Sequence, residues 1–364
     1  MTDVSETIGH SPKRVVIVDD SRTIRALLRA TTNADPRLVV AGEAADPFEA
    51  RELIKQVSPD VITLDVEMPK MNGLDFLERL MRLRPMPVVM VSNRTKERSA
   101  DAIRALAIGA VDCVDVAGLQ ADDNQRLRLT EALFCAASAI VRTRLVPPQN
   151  GATQAAGGID FRWNGRIVLI GSSTGGVEAI DRVLSRYPEN CPPTLIAQHM
   201  PAAFLRSFAT RLNETIPAHV RLAQAGDEIR QGEVLIAPGG DHHIALSGRN
   251  ADRVSLVPAT GDELYVPTID RLFASAIPAA PRVLAAVLTG MGRDGSRDLE
   301  ALRDGGAVIL AQSGETCVVD GMPRAARATG AVHKSVALET LGDEILAACT
   351  NARTPSISRR GKEN

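Results

Sequence analysis

Asp19 and Asp20 directly follow the apolar run Val15–Val18, and Asp65 directly follows Val61–Leu64. Such runs read as buried strands, and residues at the carboxyl ends of parallel strands converge on one crevice. Three carboxylates there would repel one another unless a hard cation sat among them, and Mg2+ takes oxygen ligands of this kind. A carboxylate beside that metal can attack a phosphoryl group and form an acyl phosphate. The metal and a nearby hydroxyl would neutralise the charge that develops. Ser92, just after the run Val88–Val91, is placed to supply the hydroxyl. For Asp19-Asp20-Ser21 taken alone, helix caps and turn formers are an equally good reading.

A second constellation begins where the run Arg166–Ile170 enters Gly171-Ser172-Ser173-Thr174-Gly175-Gly176. This is G-x-S-x-G with Ser173 at its centre. Flanking glycines permit a sharp strand-to-helix turn that lifts the hydroxyl clear of the sheet edge, and the helix that follows offers free N–H groups to a developing oxyanion. A loop cradling a nucleotide phosphate is the alternative, but G-x-G-x-x-G is absent and no acidic ribose ligand follows the next strand. The serine needs a base and an orienting acid. His199, at the end of the strand Thr194–Ala197, is the best base among six histidines. His242 and His243 are adjacent, so in an extended segment they point apart and cannot share a metal; His10, His219 and His333 fall in tail or surface contexts. Asp294 lies in a loop with Gly290, Gly292 and Gly295. It could fix the histidine tautomer, or merely cap a helix starting near Ser296.

Positioning these groups calls for two parallel α/β units. Val15–Val18, Val39–Ala41, Val61–Leu64, Val88–Val91 and Asp112–Val114 alternate with amphipathic stretches such as Thr23–Ala30, where Ile24, Leu27 and Leu28 share a face. A helix over about Asn124–Val141 closes this unit, residues 14–142. Residues 143–165, rich in Pro, Gly, Gln and Ala, read as a linker. The second unit, residues 166–350, continues through Thr194–Ala197, Val234–Ala237, Val254–Val257, Val283–Leu288 and Ala307–Ala311. The polar ends, 1–13 and 351–364, read as disordered tails.

Composition narrows the function classes. The chain has 364 residues with 42 Lys and Arg against 44 Asp and Glu, a balance that gives no electrostatic footprint for nucleic acid. Five scattered cysteines without C-x-x-C spacing suit a reducing compartment. No apolar run approaches the ~20 residues of a membrane span, and no signal peptide is evident, so a cytoplasmic location is expected, without direct membrane insertion.

The run Leu64-Asp65-Val66-Glu67-Met68-Pro69-x-x-Asn72-Gly73 resembles the phosphorylation loop of response-regulator receiver domains, over about residues 14–142. That resemblance implies a flavodoxin-like, five-stranded doubly wound domain. Asp65 would accept phosphate, Asp19 and Asp20 with the Glu67 backbone carbonyl would hold Mg2+, and Ser92 would be the switch hydroxyl. One departure stands out: Val116 occupies the position of the usual phosphate-contacting lysine, and Cys113 that of the aromatic switch residue. Losing the lysine removes a charge-assisted phosphate contact.

Over about residues 166–348, Gly-x-Ser173-Thr174-Gly-Gly, Gln198-His199-Met200-Pro201, Ala237-Pro238-Gly239-Gly240-x-His242, Leu288-Thr289-Gly290-Met291-Gly-x-Asp294-Gly and Gly321-Met322-Pro323-Arg324 recur in order. Together they resemble the catalytic domain of chemotaxis protein-glutamate methylesterases, a doubly wound, mostly parallel α/β hydrolytic domain. The resemblance implies Ser173 as nucleophile, His199 as base and Asp294 as orienting acid, with the Met291 N–H and Thr174 at the oxyanion. It further implies hydrolysis of receptor glutamate γ-methyl esters and deamidation of receptor glutamines without a cofactor. A chemotaxis histidine kinase would be the phosphodonor, and the unphosphorylated receiver would cover the site. Competing expectations are a phospho-regulated binding protein with an inert hydrolase half, a DNA-binding response regulator, for which no basic helix-turn-helix is present, and an esterase whose receiver is a constitutive dock.

Overall fold

The computed structural model describes residues 11–68, 71–92, 96–117, 119–120, 122–139, 161–261 and 263–351. Most of the expected tails and linker lies outside the described residues. The linker's last residues do not: Phe161 is buried, and Trp163 bridges to Thr350 and donates from Nε1 to the Arg166 carbonyl at 2.6 Å. Two aromatic side chains here join the core on which the second unit packs, so that unit starts ahead of residue 166.

The first unit runs β1 (Lys13–Val18), α1 (Arg22–Ala34), β2 (Leu38–Ala44), α2 (Pro47–Val57), β3 (Val61–Asp65), α3 (Gly73–Leu83), β4 (Val88–Ser92), α4 (Lys96–Ile108), β5 (Asp112–Asp115) and α5 (Asp123–Ala136). Its strands form one parallel sheet in the order β2-β1-β3-β4-β5. Strand order reverses between β1 and β3, so Asp19 and Asp65 stand at the topological switch point, where open α/β sheets bind ligands. Local chemistry agrees with the elements: Ser21, Asp46 and Asn72 accept from the first-turn amides of α1, α2 and α3. Helix α5 ends at Ala136, short of the expected Val141, which lies outside the described residues.

The second unit runs β6 (Ile167–Ser172), α6 (Gly176–Leu184), β7 (Thr194–Gln198), α7 (Ala202–Thr215), β8 (His219–Leu222), β9 (Glu233–Ile236), β10 (His242–Ser247), β11 (Arg253–Pro258), α8 (Ile269–Ser275), β12 (Val283–Val287), α9 (Leu299–Asp304), β13 (Val308–Gln312), α10 (Met322–Ala328), β14 (Lys334–Val336) and α11 (Leu338–Ala348). Seven strands make a parallel sheet in the order β14-β13-β12-β6-β7-β9-β8. Its switch point lies between β6 and β12. The expected strand Val254–Val257 belongs elsewhere: β11 pairs antiparallel with β10 in a separate two-stranded hairpin. The loop joining them is too short for the crossover that a parallel pair requires. One apolar cluster contains Leu77, Ile103 and Leu106 of the first unit with Phe204, Leu205 and Phe208 of the second, and α4 packs on α7.

Candidate active site and phospho-acceptor site

Strand β6 is buried along its whole length and delivers Ser173 at its carboxyl edge. Gly175, at φ 78°, turns the chain into α6. Gly176 makes room for a strut: a Cβ there would lie 2.1 Å from Gln198 Oε1. That buried glutamine accepts from Ser172 Oγ at 2.6 Å and donates from Nε2 to the Ser173 and His199 carbonyls at 2.9 and 3.1 Å. The Ser173 N–H is bound to the Thr289 carbonyl at 3.0 Å, and the His199 N–H to that of Ser172 at 3.0 Å. The ends of β6, β7 and the loop after β12 are thus tied together before any catalytic side chain is considered.

Ser173 Oγ lies 3.2 Å from His199 Nδ1, and His199 Nε2 lies 2.7 Å from Asp294 Oδ2. A carboxylate can only accept, so Nε2 carries the imidazole proton and Nδ1 presents its lone pair to the serine. Asp294 also accepts from the amides of Ile269 at 2.8 Å, Asp270 at 2.9 Å and Gly295 at 3.0 Å. It therefore does cap a helix, but that helix is α8 rather than one near Ser296, and the cap aims its second oxygen at His199. Burial alone would raise this carboxyl. Bonding and attraction from His199, with the two α8 amides, outweigh it and hold the group below the usual carboxylate range.

Gly290 brings the loop carrying Met291 against Ser173, since a Cβ there would meet Ser173 Cβ at 2.6 Å. Of the two adjacent histidines, His242 is exposed and His243 fully buried, as their alternation requires. Three neighbours were given no role from the sequence, although Gln198 stands in a quoted motif. Gln198 is a buried polar residue beside a candidate base, a signal that could have been used. Tyr265, stacked on the His199 ring, and Asp112 come from distant segments and carry no local mark.

In the first unit, carboxylate oxygens of Asp19, Asp20 and Asp65 all lie within 4.8 Å of one another. Asp19 is buried and receives the Ser21 amide at 2.8 Å, while Asp20 is exposed. A Cβ on Gly73 would fall 2.0 Å from the Asp65 carbonyl, so the Asn72-Gly73 pair lets α3 start directly against the acidic turn. Ser92 ends β4 in register with Asp115 of β5, and Glu67 is exposed just past β3. Val116 and Cys113 are buried, Val116 within an apolar cluster with Leu119 and Leu129.

The CheB methylesterase family profile matches residues 168–345, and the response regulator receiver domain profile matches residues 15–115. A protein-glutamate methylesterase/protein-glutamine glutaminase of Rhizobium etli is 45% identical over 337 residues, covering 92% of this chain and 96% of the relative. One from Caulobacter vibrioides is 46% identical over 339 residues, covering 92% and 97%. The chain belongs to the CheB methylesterase family. The crystal structure of the Thermotoga maritima CheB methylesterase catalytic domain is 33% identical, with a TM-score of 0.48, covering 50% of this chain and 98% of that one.

The receiver domain sits directly over the candidate site. Thr174 Oγ1 donates to Asp112 Oδ2 at 2.6 Å, and the Gly175 N–H donates to the Val111 carbonyl at 3.2 Å. Burial pushes the Asp112 carboxyl up, against the pull of the Thr174 hydroxyl and the Cys113 amide. Arg128 of α5 donates from Nε to the Leu264 carbonyl at 2.5 Å. Asp112, Cys113 and Arg128 face Ser173, His199 and Tyr265 across one narrow cleft, and Ser173 exposes only 7% of its surface.

Proposed function

We propose that this chain hydrolyses glutamate γ-methyl esters on methyl-accepting chemotaxis receptors, releasing methanol, and deamidates receptor glutamines at the same site. The contiguous relay from Ser173 Oγ through the His199 ring to Asp294 supports this reading above all. Nδ1 of His199 takes the serine proton as Oγ attacks the ester carbonyl. The oxyanion forms beside the start of α6 and the Met291 loop, where Thr174 and the Met291 N–H would bind it. His199 returns the proton to the leaving methoxide, and the acyl-enzyme remains. Water, deprotonated by the same nitrogen, then frees the glutamate. Asp294 keeps the proton on Nε2 and stabilises the imidazolium in both halves. An amide carbonyl passes through the same steps with ammonia as leaving group. None of these steps needs a cofactor.

Asp65 would take the phosphoryl group from a chemotaxis histidine kinase, with Ser92 contacting its oxygens. The three clustered carboxylates are hard oxygen donors that fit Mg2+, which Asp19, Asp20 and the Glu67 carbonyl would hold. Bound there, the ion would neutralise the phosphoryl oxygens during transfer. The covered Ser173 favours a resting state in which the receiver blocks receptors, and phosphorylation shifts the balance towards an open one. A second reading of the receiver, as a weakly switching dock, draws on the burial of Val116 among apolar side chains.

The test is methanol release from methylated receptor membranes, with and without a small phosphodonor and Mg2+. Ser173→Ala should abolish release in a folded protein; substantial residual turnover would sink the triad. A strong rise with phosphodonor supports the switch, and high, unresponsive release supports the dock.

A further inference from the structure

Three side chains make the relay, yet a fourth lies flat against it. The Tyr265 ring, in the segment between β11 and α8, stacks on the His199 imidazole with centroids 4.2 Å apart and planes 4° from parallel. The two hydrogen bonds of His199 grip only the ring's edges, and acylation of Ser173 removes one of them. The ring's own torsion about Cβ–Cγ is a soft, broad one. A parallel face contact is what restrains it.

The segment carrying Tyr265 is itself held by the methylesterase domain. Glu263 accepts from the amides of Thr260 at 2.9 Å and Gly261 at 3.0 Å, and from Arg271 at 3.0 Å. On the other side the Thr268 amide donates to Nδ1 of the buried His243 at 2.9 Å. The tyrosine face is therefore fixed before a substrate arrives. In the covered arrangement the Arg128 guanidinium also lies 6.0 Å from the Tyr265 ring centroid.

We propose that Tyr265 is a positioning residue for the general base, a flat wall that keeps the His199 ring in the plane joining Ser173 to Asp294 through both acylation and deacylation. The inference rests on the esterase reading above. What matters is the ring's planar face rather than its hydroxyl.

The experiment measures kcat and KM for methanol release by the full-length chain as wild type, Tyr265→Phe and Tyr265→Leu, with Ser173→Ala as the blank. A base displaced by about 1 Å can cost on the order of 10²-fold, so Tyr265→Leu should lower kcat by roughly 10- to 100-fold with KM unchanged. Tyr265→Phe should restore wild-type kcat. Tyr265 is half-buried, so leucine opens no enclosed void; Tyr265→Gln replaces it if the leucine variant fails to fold. The proposal is overturned if the leucine variant keeps wild-type kcat, if phenylalanine loses as much as leucine, or if only KM moves. Wild-type release no higher than that of Ser173→Ala would instead defeat the esterase reading itself.

Discussion

Asp294 carries two duties with two oxygens. Oδ1 receives the Asp270 and Gly295 amides, while Oδ2 receives the Ile269 amide and the His199 Nε2–H. Asp294→Asn keeps the volume but offers an NH2 that cannot accept from Nε2. The ring would then favour the other tautomer, with its proton facing Ser173. Activity should fall on the order of 10⁴-fold, as when an acid is neutralised in other serine triads. Circular dichroism should still show a folded protein. The same carboxyl contributes to stability with a definite sign. Its folded value lies below the ordinary 3.8, so the contribution is complete above that pH and is lost as pH falls through the folded value. Acid melting of Asp294→Asn should therefore be less steep in that window, and an identical acid limb would remove the argument.

At the scale of elements, four of the candidate site residues stand at or directly past a strand end, and that is why the sequence revealed them. Asp19 and Asp65 follow an apolar run at once, and His199 and Ser173 after one and two further residues, so their position needs only the run and the parallel-sheet rule. Tyr265 and Asp112 arrive by tertiary folding from other segments, and no local pattern ties them to His199 or Thr174. The β10–β11 hairpin was hidden for a similar reason: its apolar run looks like any other, and only strand pairing separates it from the parallel series. Close approach explains the glycines better than composition does. Gly290→Ala would set a Cβ 2.4 Å from Met322 Sδ, 2.6 Å from Ser173 Cβ and 3.2 Å from Ser173 N. Met322 can shift, but the nucleophile turn is tied to Gln198 and Thr289 and cannot yield cheaply. We expect a loss of about 1–3 kcal/mol in stability, as for other overpacked sites, together with a larger loss of turnover. Wild-type turnover in a destabilised protein would show that the loop moves instead of the serine.

For the whole molecule, the question is how the proposed phosphorylation at Asp65 would reach Ser173. Strand β5 spans the distance: Asp115 at one end pairs with Ser92, and Asp112 at the other bonds to Thr174. Two residues of strand lie between them, three steps or about 10 Å at the usual rise. The receiver offers the nucleophile turn one carboxylate and, through Val111, one carbonyl, so a small shift of β5 would release both. Asp112→Ala removes the stronger contact. A hydrogen bond of this kind is worth about 1 kcal/mol, or roughly a fivefold change in the ratio of covered to open forms. Unstimulated methanol release should rise by that order and the response to phosphodonor should shrink, because part of the opening has already occurred. At the far end, Val116→Lys restores a cation where the strand leaves the sheet, within an otherwise apolar cluster. If the missing charge limits switching, this variant should respond more strongly to phosphodonor while its unstimulated release stays low. The double variant then separates the two ends. With the Thr174 contact gone, a lysine acting only through β5 has less left to release, so its gain should be smaller than in the single variant. An equal gain in both backgrounds would show that phosphorylation opens the site by a route that bypasses Asp112.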